Sequence, residues 1–229
     1  MNSEAGATSV RPGVEAAERV APKRISWLTT YAKGRELLIL GPSGAGKTTF
    51  AEYLRLGTLD PEGIHEMTYM VTKSPTFSVR MGREGAVTLK VRRAVDTPGQ
   101  VGPVQHANLV GQRKPHVVIV MLDSSKALPA TTRWLRLFCS RLDTVLRQKP
   151  SVERRLSKIL VVLNKRDKTN KAKLARMKRG VQNVLREYLS VVLGAQRARS
   201  IPVLECISVR TKRGAALIDN VIGDLAKRS

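Results

Sequence analysis

A glycine-rich octapeptide, GPSGAGKT, stands at residues 41–48, between an apolar run and a segment with helical spacing. The apolar run, residues 36–40, predicts a strand, and residues 48–56 predict a helix. Glycines in such a loop let the backbone wrap so that successive N–H groups point at phosphate oxygens. The N-terminus of the following helix adds its positive dipole end. Strand, loop and helix in this order predict an α/β unit whose turn binds phosphate.

The polar residues of the octapeptide each have an expected role. Lys47 reaches the β- and γ-phosphates of a nucleoside triphosphate, and Thr48 offers its hydroxyl to Mg²⁺. The residues expected to contact the phosphates are Ser43, Gly44, Ala45, Gly46, Lys47, Thr48 and Thr49. The octapeptide alone does not distinguish ATP from GTP, nor a nucleotide kinase from a transporter ATPase.

Short apolar runs alternate with helical segments along the rest of the chain. Buried strands are predicted for residues 117–122, 159–163 and 203–207. Period-two patterns over residues 76–80 and 87–91 predict a hairpin around Gly82 and Gly85. Helices are predicted for residues 129–148, 170–194 and 215–226. Strands that alternate with helices predict βαβ units and a mostly parallel sheet.

The tetrapeptide Asn164-Lys165-Arg166-Asp167 directly follows the apolar run 159–163. In an N-K-x-D loop the Asp carboxylate accepts two hydrogen bonds from guanine, one from the ring N–H and one from the exocyclic amine. Adenine offers neither donor, so it would leave a buried carboxylate unpaired, and such sites discriminate by ~10⁴ or more. Asn164 is expected to brace the phosphate loop, and Lys165 to cover the base and ribose. This loop, and the absence of a transporter-type LSGGQ segment, favour GTP and GDP over ATP.

A third segment, Asp96-Thr97-Pro98-Gly99-Gln100, ends the second half of the predicted hairpin. Asp96 is expected to hold Mg²⁺ through water, the Gly99 amide to bind the γ-phosphate, and Gln100 to orient the attacking water. Two further contacts rest on position alone: a second Mg²⁺ ligand from the Thr76 hydroxyl, and a backbone N–H to the guanine oxygen from Ser208, Val209 or Arg210. The expected catalytic residues are Gln100, Lys47 and Thr76, and the expected metal ligands are Thr48, Thr76 and Asp96.

In this order, the segments GPSGAGKT, PT, DTPGQ, NKRD and ISVRTKRG resemble the motifs of Ras-superfamily small GTPases, over residues 36–229. With Pro98 before its glycine, the DTPGQ segment most resembles that of prokaryotic Ras/Arf-like members. The stretch between Lys47 and Thr76 is longer than in Ras itself. The resemblance implies a P-loop NTPase G domain over residues 25–229. Small and polar residues, with glycines and prolines among them, predict a flexible leader at 1–24. The resemblance also implies a six-stranded mixed, mostly parallel sheet with about five helices on both faces.

The same resemblance implies an activity and a set of partners. The implied activity is slow hydrolysis of GTP to GDP and phosphate with Mg²⁺. The segments around Thr76 and Gln100 would be the two switches that respond to the γ-phosphate. No arginine finger can be assigned within the chain, so a GTPase-activating protein and an effector are the implied partners.

Basic residues are in large excess, with 41 Lys and Arg against 18 Asp and Glu and a formal net charge of +23. From residue 147 to 179 there are 13 Lys and Arg against only Glu153 and Asp167. A solvated helix face normally carries both positive and negative side chains. This run is therefore as consistent with binding a polyanion, such as nucleic acid, a ribosome or an anionic membrane, as with a solvated face. An acidic partner protein fits as well. The alternative function is therefore a basic binding module in which GTP is mainly structural.

The two cysteines and the short apolar runs favour a cytoplasmic protein. Cys139 and Cys206 are predicted to be reduced, buried thiols, because two cysteines make no disulfide framework. No apolar run approaches the ~18 residues that a transmembrane helix needs, so membrane contact would be peripheral and based on charge. Histidines 65, 106 and 116 lack metal-ligand spacing and are interpreted as structural or surface residues.

Overall fold

A computed structural model describes residues 34–56, 72–73, 77–81 and 87–206. The strands are β1 (Arg35–Leu40), β2 (Thr72–Lys73), β3 (Phe77–Met81), β4 (Val87–Asp96), β5 (Val117–Asp123), β6 (Lys158–Asn164) and β7 (Val203–Glu205). The α-helices are α1 (Lys47–Leu56), α2 (Pro103–Arg113), α3 (Leu128–Gln148), α4 (Pro150–Arg155), α5 (Lys171–Leu193) and α6 (Ala195–Arg199).

One mixed sheet runs through the described residues in the order β2-β4-β1-β5-β6-β7, with β3 also paired to β4. The five strands from β4 to β7 along this order are parallel. Strands β2 and β3 both lie antiparallel to β4, β2 beside its last residues and β3 beside its first half. The two short strands therefore share one edge position, and the sheet is six strands wide. The mixed, mostly parallel sheet and the hairpin are confirmed.

Apolar side chains cover both faces of the sheet. Every residue of β5 is buried, as expected for a central parallel strand covered on both faces. One face packs against α2, α3 and α5, and the other packs against α1. The α/β fold with helices on both faces is confirmed. Within the described ranges there are six α-helices. Two of them are short: α4 precedes strand β6, and α6 follows helix α5.

The two long helices follow the predicted stripes. Helix α5 begins after Asn170, whose side-chain oxygen accepts a hydrogen bond from the Lys173 amide at 2.8 Å, and it ends at Leu193, with Gly194 as its C-cap. Helix α3 buries Cys139, and burial raises the pKa of that thiol. Cys206 is also buried, directly after β7, and neither of these two cysteines forms a disulfide. The predicted leader and the predicted helix at 215–226 lie outside the described residues.

The direction of the parallel strands positions the motifs. Strands β1, β4 and β6 end at Leu40, Asp96 and Asn164, so all three motif loops leave the sheet at its carboxyl edge. Ligands of open α/β sheets bind at this edge. Among the helices that the structure describes, none is both long enough and apolar enough to cross a membrane.

Candidate functional site

The glycine-rich loop turns tightly between β1 and α1. Gly44 and Gly46 have φ angles of 71° and 89°, in the left-handed region that favours glycine. A Cβ atom at Gly46 would lie 2.3 Å from the Asn164 Nδ2 atom, so no larger residue fits there without movement. This close contact between two distant segments makes the loop part of a larger site.

Lys47 is the first residue of α1, and its side chain is turned into this loop. The residue is only 6% exposed, and its Nζ donates a hydrogen bond to the Pro42 carbonyl at 3.0 Å. Burial lowers the pKa of Lys47 from its ordinary value, against the opposing attraction of Asp96. A desolvated ammonium at a helix N-terminus favours an anionic ligand, which is the requirement for holding phosphate.

Thr48 and Asp96 bring two oxygens together beside the loop. The Thr48 hydroxyl donates to Asp96 Oδ2 at 2.7 Å, joining the start of α1 to the end of β4. Oxygen donors are what Mg²⁺ prefers, and it usually takes one or two protein ligands together with phosphates and water. No cluster of three or more His, Cys, Asp or Glu residues occurs in the described ranges. These two oxygens therefore fit a Mg²⁺ ion that is shared with a phosphate ligand.

The DTPGQ loop lies directly against the glycine-rich loop. A Cβ atom at Gly99 would lie 2.4 Å from Ser43 Cα and 2.8 Å from Lys47 Nζ. Only a glycine allows the two backbones to approach this closely. Gln100 follows at the surface, so its side chain is exposed beside the place where the two loops meet.

The NKRD loop joins the same assembly through Asn164. Asn164 is 5% exposed, and its Nδ2 donates to the Ala45 carbonyl at 2.8 Å. The Arg166 amide donates to the Cys206 carbonyl at 3.0 Å, which ties the loop to the chain after β7. Asp167 stands exposed in the short 3₁₀ turn Arg166–Lys168. The NKRD loop and the phosphate loop are thus in direct contact.

A buried carboxylate that the sequence analysis missed supports Lys165. Asp123, the last residue of β5, accepts a hydrogen bond from Lys165 Nζ at 2.9 Å and one from the Ser125 hydroxyl at 2.6 Å. Burial, the largest single effect, raises the pKa of Asp123, but the hydrogen bonds from Ser125 and Lys165 together hold it below its usual value. The available signal was an aspartate directly after an apolar strand, as at Asp96.

Several expected site residues lie outside the described part of the chain, and their roles stay predictions. These residues are Thr76, Ser208, Val209 and Arg210. Thr49 is described, half-buried in the first turn of α1.

The basic run of residues 147–179 does not form one patch. Strand β6 has seven residues and spans roughly 20 Å. Residues before it therefore lie at the amino ends of the parallel strands, and residues after it lie at their carboxyl ends. Arg147 and Arg155, before β6, pair with Asp143 and Glu36. Beyond β6, Lys168 and Lys171 are exposed at the carboxyl edge, beside the NKRD loop.

Comparison with known proteins gives likeness of structure only. No protein-family model and no curated protein match the sequence. The translation elongation factor SelB from Methanococcus maripaludis, solved with the GTP analogue GPPNHP, matches with a TM-score of 0.51 and 14% identity. That match covers 86% of this chain, which spans only 34% of the SelB chain.

A second solved structure has a similar length. It is the signal recognition particle receptor SRb-GTP/SRX complex from Chaetomium thermophilum, with a TM-score of 0.52 and 19% identity over 83% of this chain and 97% of that one. Identities this low show the fold alone. The chain accordingly has the α/β fold of a P-loop GTPase G domain.

Proposed function

We propose that this chain is a small GTPase of the Ras-superfamily type, related to the prokaryotic Ras/Arf-like members, with its G domain over residues 25–229. It binds GTP and GDP with Mg²⁺, hydrolyses GTP slowly, and switches a partner protein. The observation that carries the proposal is the 2.8 Å hydrogen bond from Asn164 Nδ2 to the Ala45 carbonyl, which joins the guanine-reading loop to the phosphate loop. The nucleotide-bound states of SelB and SRb support it, since they use the same fold.

The phosphates are held by the backbone N–H groups of residues 43–49 and by the ammonium of Lys47. Because Lys47 is buried, its attraction for a phosphate is screened less than it would be in water. Thr48, Asp96 and Thr76 are the proposed ligands of Mg²⁺. When bound, this ion neutralises charge on the phosphate oxygens.

The base is read at the NKRD loop. Asp167 accepts hydrogen bonds from the two guanine donors, and a backbone N–H from the segment Ser208-Val209-Arg210 contacts the guanine oxygen. Lys165 covers the base, and Asp123 fixes its ammonium in place at 2.9 Å. That ion pair reduces the rotamer freedom that Lys165 would lose when nucleotide binds.

Hydrolysis depends on where the DTPGQ loop holds the backbone amide of Gly99 and the side chain of Gln100. Gly99 lies against Ser43 and Lys47, so its amide can donate to a γ-phosphate held by the same residues. Gln100 accepts and donates hydrogen bonds through its amide, which orients a water for in-line attack. Positioning of this kind, and not proton transfer by a side chain, is the proposed source of the rate.

Nucleotide competition tests the proposal. A fluorescent GDP analogue bound to the full chain with Mg²⁺ should be displaced by GTP and GDP at concentrations at least ~1,000-fold lower than by ATP or ADP. Displacement by ATP at the same concentration as by GTP would contradict guanine recognition and revive an ATP-dependent P-loop kinase or transporter ATPase.

Replacing Gln100 by alanine is expected to slow single-turnover phosphate release at least about tenfold, because the attacking water loses its orienting partner. The affinities for GTP and GDP should stay within about twofold, because Gln100 is exposed beside the loops and is not part of the phosphate cradle. Gln112→Ala, at an exposed position near the end of α2, is the matched control. Unchanged turnover in Gln100→Ala would remove Gln100 from its proposed role.

A second candidate function, polyanion binding, is favoured by exposed cations at the nucleotide edge. Lys168, Lys171 and Arg176 are exposed on the NKRD side of the sheet. Contact with phosphates there would attach nucleic acid, a ribosome or an anionic membrane beside the NKRD loop. Arg147, Lys149 and Arg154 provide an equal number of exposed cations on the other side of β6.

Charge reversal separates these two groups of cations. Replacing Lys168, Lys171 and Arg176 by glutamate is expected to weaken binding to single-stranded RNA and to flatten its log–log salt dependence by about 2, since roughly three phosphate contacts are lost. The same reversal of Arg147, Lys149 and Arg154 should change the slope by less than about 1. Equal losses in the two variants would show that the interaction is unlocalised attraction. Binding that does not differ between the GDP form and the GTP-analogue form would favour a module in which GTP is structural.

A further inference from the structure

A buried histidine that the proposed mechanism does not use lies under the DTPGQ loop. His106, on helix α2, is fully buried. Its Nε2 atom lies 3.2 Å from the Thr97 hydroxyl oxygen and 3.2 Å from the Pro98 carbonyl oxygen. One ring nitrogen therefore contacts the two residues that directly precede Gly99.

The hydrogen-bond partners determine which ring nitrogen carries the proton. The Thr97 hydroxyl donates its one hydrogen to the Ile39 carbonyl at 2.9 Å, so it faces His106 as an acceptor. The Pro98 carbonyl is also an acceptor. Both partners therefore need a proton on Nε2, which donates to the two of them.

The surroundings keep this imidazole neutral. Burial and the nearby charge of Lys47 lower the pKa of His106 to about 4, although the Pro98 hydrogen bond opposes this. The other ring nitrogen, Nδ1, is buried and has no hydrogen-bond partner among the described residues. Because Nδ1 carries no proton in this tautomer, it leaves no buried donor unpaired.

The far side of the ring rests on helix α3. The centroids of His106 and Trp134 lie 5.6 Å apart with the rings tilted by 57°, and Trp134 stacks on Phe138 at 5.5 Å. These contacts fix the ring from behind. A continuous path thus runs from α3 through His106 and Thr97 to Ile39, at the end of β1 beside the phosphate loop.

We infer that His106 is a positioning residue, which holds the backbone at Thr97 and Pro98 so that the Gly99 amide and Gln100 are directed at a γ-phosphate. The inference rests on the proposed GTPase function. It predicts a defect confined to the triphosphate, because GDP has no γ-phosphate for the loop to contact. Loss of general stability would affect GTP and GDP alike.

Two substitutions at His106 separate donation from packing. His106→Leu fills the space under the loop with an apolar side chain and removes the hydrogen-bond donor. His106→Gln instead places an amide N–H at nearly the same distance from the backbone as the Nε2–H group of histidine. His106→Leu is expected to slow single-turnover GTP hydrolysis about tenfold and to weaken GTP binding relative to GDP several-fold. The Kd for GDP should stay within about twofold of wild type. His106→Gln should recover most of both GTP-specific properties.

Thr97→Val keeps the test decisive if His106→Leu does not fold. It removes the hydroxyl that joins His106 to Ile39 while preserving the shape of the side chain, and the same GTP-specific loss is expected. Wild-type hydrolysis in His106→Leu, or in Thr97→Val where the leucine variant does not fold, would overturn the inference. So would failure of the glutamine to recover what the leucine loses, or equal weakening of GDP and GTP binding. If the wild-type protein itself neither binds nor hydrolyses GTP, the proposed function fails first.

Discussion

Replacing Asp167 by alanine is expected to abolish the preference of this protein for guanine over adenine. The carboxylate is the group proposed to pair with both guanine donors, so its loss should lower the affinity for GDP by at least ~100-fold. The affinity for ADP, which gains nothing from Asp167, should hardly change. Isothermal titration with GDP and ADP, each with Mg²⁺, measures the ratio directly.

Asp167→Asn makes the same test more specific. Its side-chain amide presents one donor and one acceptor, which suits xanthine, where an oxygen replaces the exocyclic amine of guanine. The asparagine variant should therefore bind xanthosine diphosphate better than GDP. Asp143→Ala, on helix α3, is the matched control and should leave both affinities unchanged. A GDP affinity in Asp167→Ala equal to that of wild type would exclude base reading by this loop.

The sheet and the long helices were predictable because their burial is regular. Strand β5 is buried along its whole length, so it appears in the sequence as an unbroken apolar run. Helices α3 and α5 each bury one stripe, and the helical period shows it.

Helix α2 was not predicted, for physical reasons that are visible in its packing. Its buried positions include His106 and Gly111, which do not contribute to an apolar stripe. A Cβ atom at Gly111 would lie 2.7 Å from a methyl carbon of Val145, so the close approach of α2 and α3 requires a small residue there. A helix that packs through glycine and histidine carries little periodic signal.

The site was predictable where a motif follows a strand, and less so where only the fold brings residues together. Asn164 was expected to brace the phosphate loop, and the structure places its amide on Ala45. The Asp123–Lys165 pair depends on the register of β5 beside β6, in which Asp123 lies opposite Asn164. The basic run at residues 147–179 suggested a single patch for the same reason. Strand β6 separates its two halves, because it carries the chain from the amino ends of the parallel strands to their carboxyl ends.

Replacing Lys47 by methionine is expected to weaken nucleotide binding while stabilising the nucleotide-free protein. Loss of the buried ammonium should lower the affinity for GDP and GTP by at least ~100-fold, the usual effect of removing one member of a desolvated charge pair. Burial lowers the pKa of Lys47 in spite of Asp96, so the charged form destabilises the folded chain when no phosphate is present. Methionine is unbranched and fills similar space without a charge. The free energy of unfolding without nucleotide should therefore rise.

Denaturant unfolding with and without GDP measures both halves of this expectation. Wild type should gain stability as GDP is added, by RT ln(1 + [GDP]/Kd), whereas Lys47→Met should start higher and gain almost nothing. Lys168→Met, at an exposed position beside the site, should change the unfolding free energy by less than about 0.5 kcal/mol and keep the GDP response. A normal GDP response in Lys47→Met would contradict phosphate binding by Lys47. A less stable nucleotide-free variant would show that the attraction of Lys47 to Asp96 and the hydrogen bond to Pro42 outweigh the desolvation of the ammonium.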